Sequence, residues 1–127
     1  MKRNVMLIAM SLLSILLLSI HVTDDIIRGK SGGGLENLLG ILILVVLLCG
    51  TLLLAERRSG LIIMLLGGIF AAGMPVLHMR GPGVGGEFAK TPGAFLFIWT
   101  LYALGVTGTF AFILAVRELL MQRAQPR

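Results

Sequence analysis

The residues best suited to chemistry in this chain are two histidines with acidic and basic neighbours, in two short clusters. The first is His21-Val22-Thr23-Asp24-Asp25, with Arg28 just beyond it; the second is His78-Met79-Arg80. Imidazole with a carboxylate or thioether ligates zinc or copper, and imidazole also binds haem iron. Aspartate and histidine near a membrane interior are candidates for proton-linked transport or sensing, because histidine responds to pH near neutrality. The same residues suit a plainer role. Asp24 and Asp25 pair with Arg28 one turn on and with Arg80 across a gap, while His21 and His78 supply hydrogen bonds at headgroup level. The leading expectation is this structural network. A small transporter or sensor is the first alternative. A metal- or haem-binding subunit is the second, with His21, Asp25 and His78 as the weak metal candidates and Met74 or Met79 nearby.

No other motif carries catalysis, so the chain is not expected to be an enzyme and no cofactor is assigned. Gly81-Pro82-Gly83-Val84-Gly85-Gly86 fits G-x-G-x-x-G as text, but it follows an apolar span and not a strand, and no nucleotide-binding helix follows it. Gly29-Lys30-Ser31 resembles the end of a P-loop, yet the earlier glycine that loop needs is replaced by Asp24. No serine sits in a G-x-S-x-G frame. The single cysteine, Cys49, lies in an apolar run, has no partner for an internal disulfide, and suits packing.

The elements that position the clusters are membrane spans. The 127 residues are 57% hydrophobic and 13% charged, against about 25% charged in soluble domains, so the surplus apolar surface must face lipid. A span needs about 20 mostly apolar residues. Four runs qualify, at approximately 4–22, 38–55, 59–77 and 94–116, in one membrane domain covering 1–127. None alternates as a barrel strand would. The fold class is therefore all-α: an integral membrane four-helix bundle. The first run is read as a retained helix rather than a cleaved signal peptide, since its apolar stretch is long and no A-x-A-like site follows it.

The loops give the direction. With the N-terminus inside, the inner side holds Lys2, Arg3, Arg57, Arg58, Arg117, Arg123 and Arg127, and the outer side Arg28, Lys30, Arg80 and Lys90. The positive-inside rule then places both termini in the cytoplasm, N-in/C-in, in a cell inner membrane. The outer loops, 23–37 and 79–93, are rich in glycine and hold both clusters at their edges. The net charge of +5 is scattered at span ends and not gathered with aromatics, so nucleic acid is excluded as a partner. The lipid bilayer is the expected partner, with a homo-oligomer or another membrane protein also open.

Two packing patterns stand out. If the first helix continues past Val22, His21, Asp24 and Asp25 share a face, and Ser11, Ser14, Leu18, His21 and Asp25 form an inward line at steps of three and four. Small residues pair at four-residue spacing as Gly67 with Ala71, Gly68 with Ala72, and Gly105 with Thr109, which lets backbones approach closely in lipid. The third and fourth spans are therefore expected to touch, with a homodimer face as the alternative. Pro75 is expected to kink the outer end of the third span. Trp99 suits either an interfacial anchor or bundle packing.

In shape, four spans in so short a chain resemble the small multidrug resistance exporters. Those rely on a membrane-embedded glutamate in the first span, where this chain has Ser11 and Ser14, so drug–proton exchange is not implied. His21-x-x-Asp24-Asp25 with Arg28-Gly29, the turn Ala55-Glu56-Arg57-Arg58, and Pro75-x-x-His78-Met79-Arg80-Gly81 make the chain look more like uncharacterised small four-span proteins of bacterial inner membranes. That resemblance covers most of the chain and implies no activity and no catalytic residues.

Overall fold

A computed structural model describes residues 4–29, 34–79 and 83–124. Four long helices account for most of them: α1 (Val5–Ile27), α2 (Leu35–Leu52), α3 (Arg58–His78) and α4 (Ala94–Ala124), with one 3₁₀ turn at Glu87–Lys90 before α4. All four are long and apolar enough to cross a membrane. Their large side chains explain why. Leu38, Leu42, Val46, Leu66, Phe110 and Ile113 are all exposed, a surface that water would penalise and acyl chains accept.

The helix ends follow local chemistry. Asn4 caps α1 by accepting from the Leu7 amide at 3.1 Å, and its Nδ2 donates to Glu118 Oε1 at 2.6 Å, tying the start of α1 to the far end of α4. α1 does not stop at Val22. It runs on to Ile27 and ends where Gly29, at φ +73°, turns the chain and its amide bonds the Ile26 carbonyl. The expected first outer loop therefore loses its opening residues to the helix. α2 begins at Leu35 and ends at Leu52, a turn earlier than the expected window at both ends. α3 stays helical on both sides of Pro75 through to His78. α4 has 31 residues, about 46 Å at 1.5 Å per residue. That exceeds a hydrocarbon core of about 30 Å, and the charged residues of α4, Arg117, Glu118 and Arg123, all lie in its last third.

Packing is centred on α4, which makes extensive contacts with α3 and α1, whereas α2 lies against the side of the bundle. In α2 only Gly50 and Thr51 are buried. One buried cluster joins Leu18, Ala71, Met74, Phe97, Leu101 and Leu104; another joins Leu7, Leu61, Met64, Ala111 and Ala115. The α3–α4 contact depends on missing side chains. A Cβ on Gly68 would lie 2.7 Å from the Phe112 amide nitrogen, and one on Gly108 would lie 2.6 Å from both the Ala71 Cβ and the Ala72 nitrogen.

The small-residue pairs named from sequence divide among different neighbours. Gly68 and Ala71 meet α4. Gly67 faces Leu47 of α2, and Gly105 faces the Pro75 ring. Ala72 and Thr109 line a shallow groove between α3 and α4 on the bundle exterior. The residue on α4 that allows the closest approach is Gly108, which the four-residue spacing passed over. Trp99 is exposed, so bundle packing is not its role.

Candidate metal centre

At the end of the bundle away from the α2–α3 turn, α1 brings His21 and Asp25 to one side of the same helix, one turn apart. α3 brings His78 as its last residue, and α4 lays Thr100 and Phe97 beneath them. The His21 side chain is 0% exposed, that of His78 15% and that of Asp25 19%. His21 Nε2 and His78 Nε2 are 3.5 Å apart. Asp25 Oδ2 lies 3.4 Å from the His78 nitrogen and 3.7 Å from the His21 nitrogen. These three atoms form a nearly equilateral triangle. A point equidistant from them is about 2.0 Å from each, which is the bond length zinc makes to imidazole nitrogen and carboxylate oxygen.

The second ring nitrogens fix which atoms face this point. His78 Nδ1 is 2.9 Å from the Met74 carbonyl, which can only accept, so Nδ1 carries the hydrogen. His21 Nδ1 is 3.4 Å from Thr100 Oγ1. That hydroxyl directs its one hydrogen to the Leu96 carbonyl at 2.8 Å, so toward His21 it acts as acceptor. With each Nδ1 engaged by an oxygen, both rings turn Nε2 toward each other and toward Asp25 Oδ2, and Nε2 is the atom a metal ion would take. A backbone carbonyl or hydroxyl that orients the far nitrogen of a ligating histidine is the usual outer support of a metal site.

The site is walled by aromatic and loop residues. The Phe97 ring centroid lies 5.3 Å from His21 and 5.9 Å from His78, with Phe88 at 6.0 Å on Phe97. The loop between α3 and α4 folds back over the end of α3: the Val84 amide donates to the His78 carbonyl at 3.0 Å, and Val84 is half-buried against the core. Gly83 sits against that same carbonyl, where a Cβ would collide with it. Arg28 straps the arrangement. Its Nε donates to Asp24 Oδ2 at 2.7 Å, its Nη1 bonds Thr91 Oγ1 at 2.5 Å, and its guanidinium lies 5.7 Å over the Phe97 ring. Arg28→Ala is expected to loosen this cover. Amide hydrogen exchange at Val84, Ala89 and Thr91 should speed up relative to wild type, while exchange in the middle of α4 stays unchanged.

Of the six residues named in the polar cluster, the structure separates two groups. His21, Asp25 and His78 converge. Asp24 instead pairs with Arg28 one turn on, so the face expected to hold Asp24 and Asp25 together is split. Arg80 lies outside the described residues. Met74 contributes its carbonyl while its side chain packs in the core, and Met79 is exposed. Thr100 and Phe97 were not singled out in the sequence. A threonine in an apolar span is the only signal Thr100 gives, and α1 must be docked on α4 before that signal means anything.

The same geometry does not suit haem. An iron porphyrin between two imidazoles needs a flat slot perpendicular to the line joining their nitrogens. Asp25 Oδ2 is about 3 Å from the midpoint of that line, inside the area the macrocycle would fill. Compared with family models, curated proteins and solved structures, the chain matches none of them.

Proposed function

We propose that this multi-pass membrane protein binds a divalent ion of the zinc class through His21, His78 and Asp25 at the outer end of its bundle. The observation that carries this reading is the triangle of three ligand atoms around one point at metal-bond distance. Two nitrogens and one oxygen suit zinc or a neighbouring first-row ion, and three protein ligands leave a fourth position for water or a substrate group. The role is accessory and not catalytic. Among the touching helix pairs, α1 and α3 share the least contact, and a metal held by one residue pair on α1 and one residue on α3 would staple them together. Titration of purified protein with cobalt(II), read by its tetrahedral d–d absorption, tests the site directly.

The proposal includes a place: a bacterial inner membrane with both termini cytoplasmic and the metal on the outer side, supported by the seven-to-four split of basic residues. In a Cys49→Ser background, Glu87→Cys is expected to react with a membrane-impermeant maleimide on intact cells. Glu56→Cys should react only after lysis. The reverse pattern would invert the topology.

A further inference from the structure

We propose that a second, internal polar site lies within the membrane span, built around Ser11 and sized for a single water molecule. It is independent of the outer cluster: Ser11 is ten residues from His21, about 15 Å along the helix, and the buried layer of Leu18, Leu101 and Leu104 belongs to the stretch between.

The Ser11 hydroxyl breaks the local rule. In apolar surroundings a serine or threonine on a helix normally donates to a carbonyl one turn back. Ser19, Thr23, Thr100, Thr107 and Thr109 all do so, at 2.7–3.0 Å. Ser14 instead donates to Thr107 across the α1–α4 contact at 3.0 Å. Ser11 is 5% exposed, and its Oγ has no hydrogen-bond partner among the described residues. A buried hydroxyl without a partner is costly, because it gives up its bonds to water and gains none in return.

The second observation is the space beside it. Ser11 and Ser14 of α1 line a cavity with Thr51 of α2, Met64 and Gly68 of α3, and Ala111 of α4. Its small walls leave about 10 Å³ of room for the centre of a water molecule, which is the space one water needs. Three hydroxyl-bearing residues border it, enough polar partners to hold that water. Ser14 has its hydrogen committed to Thr107 and retains lone pairs to accept from a water. Ser11 has both its hydrogen and its lone pairs to offer. The occupant is therefore a water, bonded by Ser11 and shared with Ser14 and Thr51. It gives the α1 seam a hydrated level between the Asn4–Glu118 bond and the outer cluster.

The test is water–protein magnetisation transfer in lipid nanodiscs, with stability measured in parallel. The wild-type protein should show a long-lived water signal at the Ser11 amide, separate from exchange with bulk. Ser11→Ala should weaken or abolish that signal and lower the unfolding midpoint. Ser11→Val, which fills the space, should abolish the signal. Absence of the signal in the wild type overturns the proposal. So does a Ser11→Ala variant that is more stable than wild type, because removing a partnerless hydroxyl from a dry cavity relieves a cost rather than adding one. Ser11→Ala makes the smallest change in volume, so the test stands even where Ser11→Val fails to fold.

Discussion

His78→Ala is expected to reduce zinc or cobalt binding at the His21–Asp25–His78 site by at least about 100-fold, with Asp25→Asn and His21→Ala close behind. His78→Ala and His21→Ala each remove one of three ligand atoms that surround a single point, and Asp25→Asn removes the negative charge of the third. Loss of even an outer-shell partner typically costs 10–100-fold in metal affinity, so loss of a direct ligand costs more. Thr100→Val makes the finer test. It leaves all three ligand atoms in place but removes the oxygen that accepts from His21 Nδ1, so affinity should fall by about 10-fold and not vanish. The binding should also appear as stability. A ligand that binds only the folded state at 100 times its Kd adds about 2.7 kcal/mol, so excess zinc should raise the unfolding midpoint of wild type and leave His78→Ala unmoved. Binding should weaken in acid, because an imidazole nitrogen must be unprotonated to ligate. Retention of full cobalt affinity in His78→Ala, with intact helicity, would exclude the proposed site. The cluster would then be a hydrogen-bonded closure of the bundle, built from the same contacts.

Gly108→Ala should destabilise the bundle by about 1–3 kcal/mol, the range for forcing extra atoms into a packed interior. The new Cβ would lie 2.6 Å from the Ala72 backbone nitrogen and the Ala71 Cβ. Backbone cannot rotate aside as a side chain can, so α3 and α4 must separate. In lipid, helix association rests mainly on van der Waals packing and not on apolar burial. Separation along the α3–α4 contact therefore weakens the main attractive term. Gly68→Ala should behave alike, since its Cβ meets the Phe112 nitrogen at 2.7 Å and the Gly108 carbonyl at 2.9 Å. Gly73→Ala is the control. It lies in the same helix with open space around it, and it should be neutral or slightly stabilising because alanine is the better helix former. Unfolding in mixed micelles gives the comparison. Equal effects at Gly108 and Gly73 would mean that the close approach contributes nothing.

Much of the architecture was legible from composition and spacing. Long apolar runs separated by charged or glycine-rich breaks leave one structural solution in lipid, because each backbone group must bond within its own helix. The inward line Ser11, Ser14, Leu18, His21 and Asp25 was legible for the same reason: steps of three and four put residues on one face, and all but the partly exposed Asp25 are buried. The end of α1 was harder to place. Asp24, Asp25 and Arg28 resemble loop residues by composition, yet the Asp24–Arg28 pair one turn apart keeps the helix going to Ile27. The small-residue contacts were only partly legible. Spacing marks which residues are small, but the rotation of each helix decides what they touch, and Gly67 faces α2 while Gly108 takes the α4 contact.

What the sequence alone determined was the number of apolar helices, the polar face of α1, and the location of both histidines toward the same end of the bundle. These depend on local periodicity and on the length a bilayer demands. Only the tertiary structure decided that Asp25 joins the histidines while Asp24 leaves them, that Thr100 and the Met74 carbonyl orient the two rings, and that three ligand atoms come to within metal-bond distance of one point. Those outcomes depend on helix rotation and on the close α3–α4 approach at Gly68 and Gly108, and a rotation of a few tens of degrees would move every one of those atoms without changing a single residue's spacing.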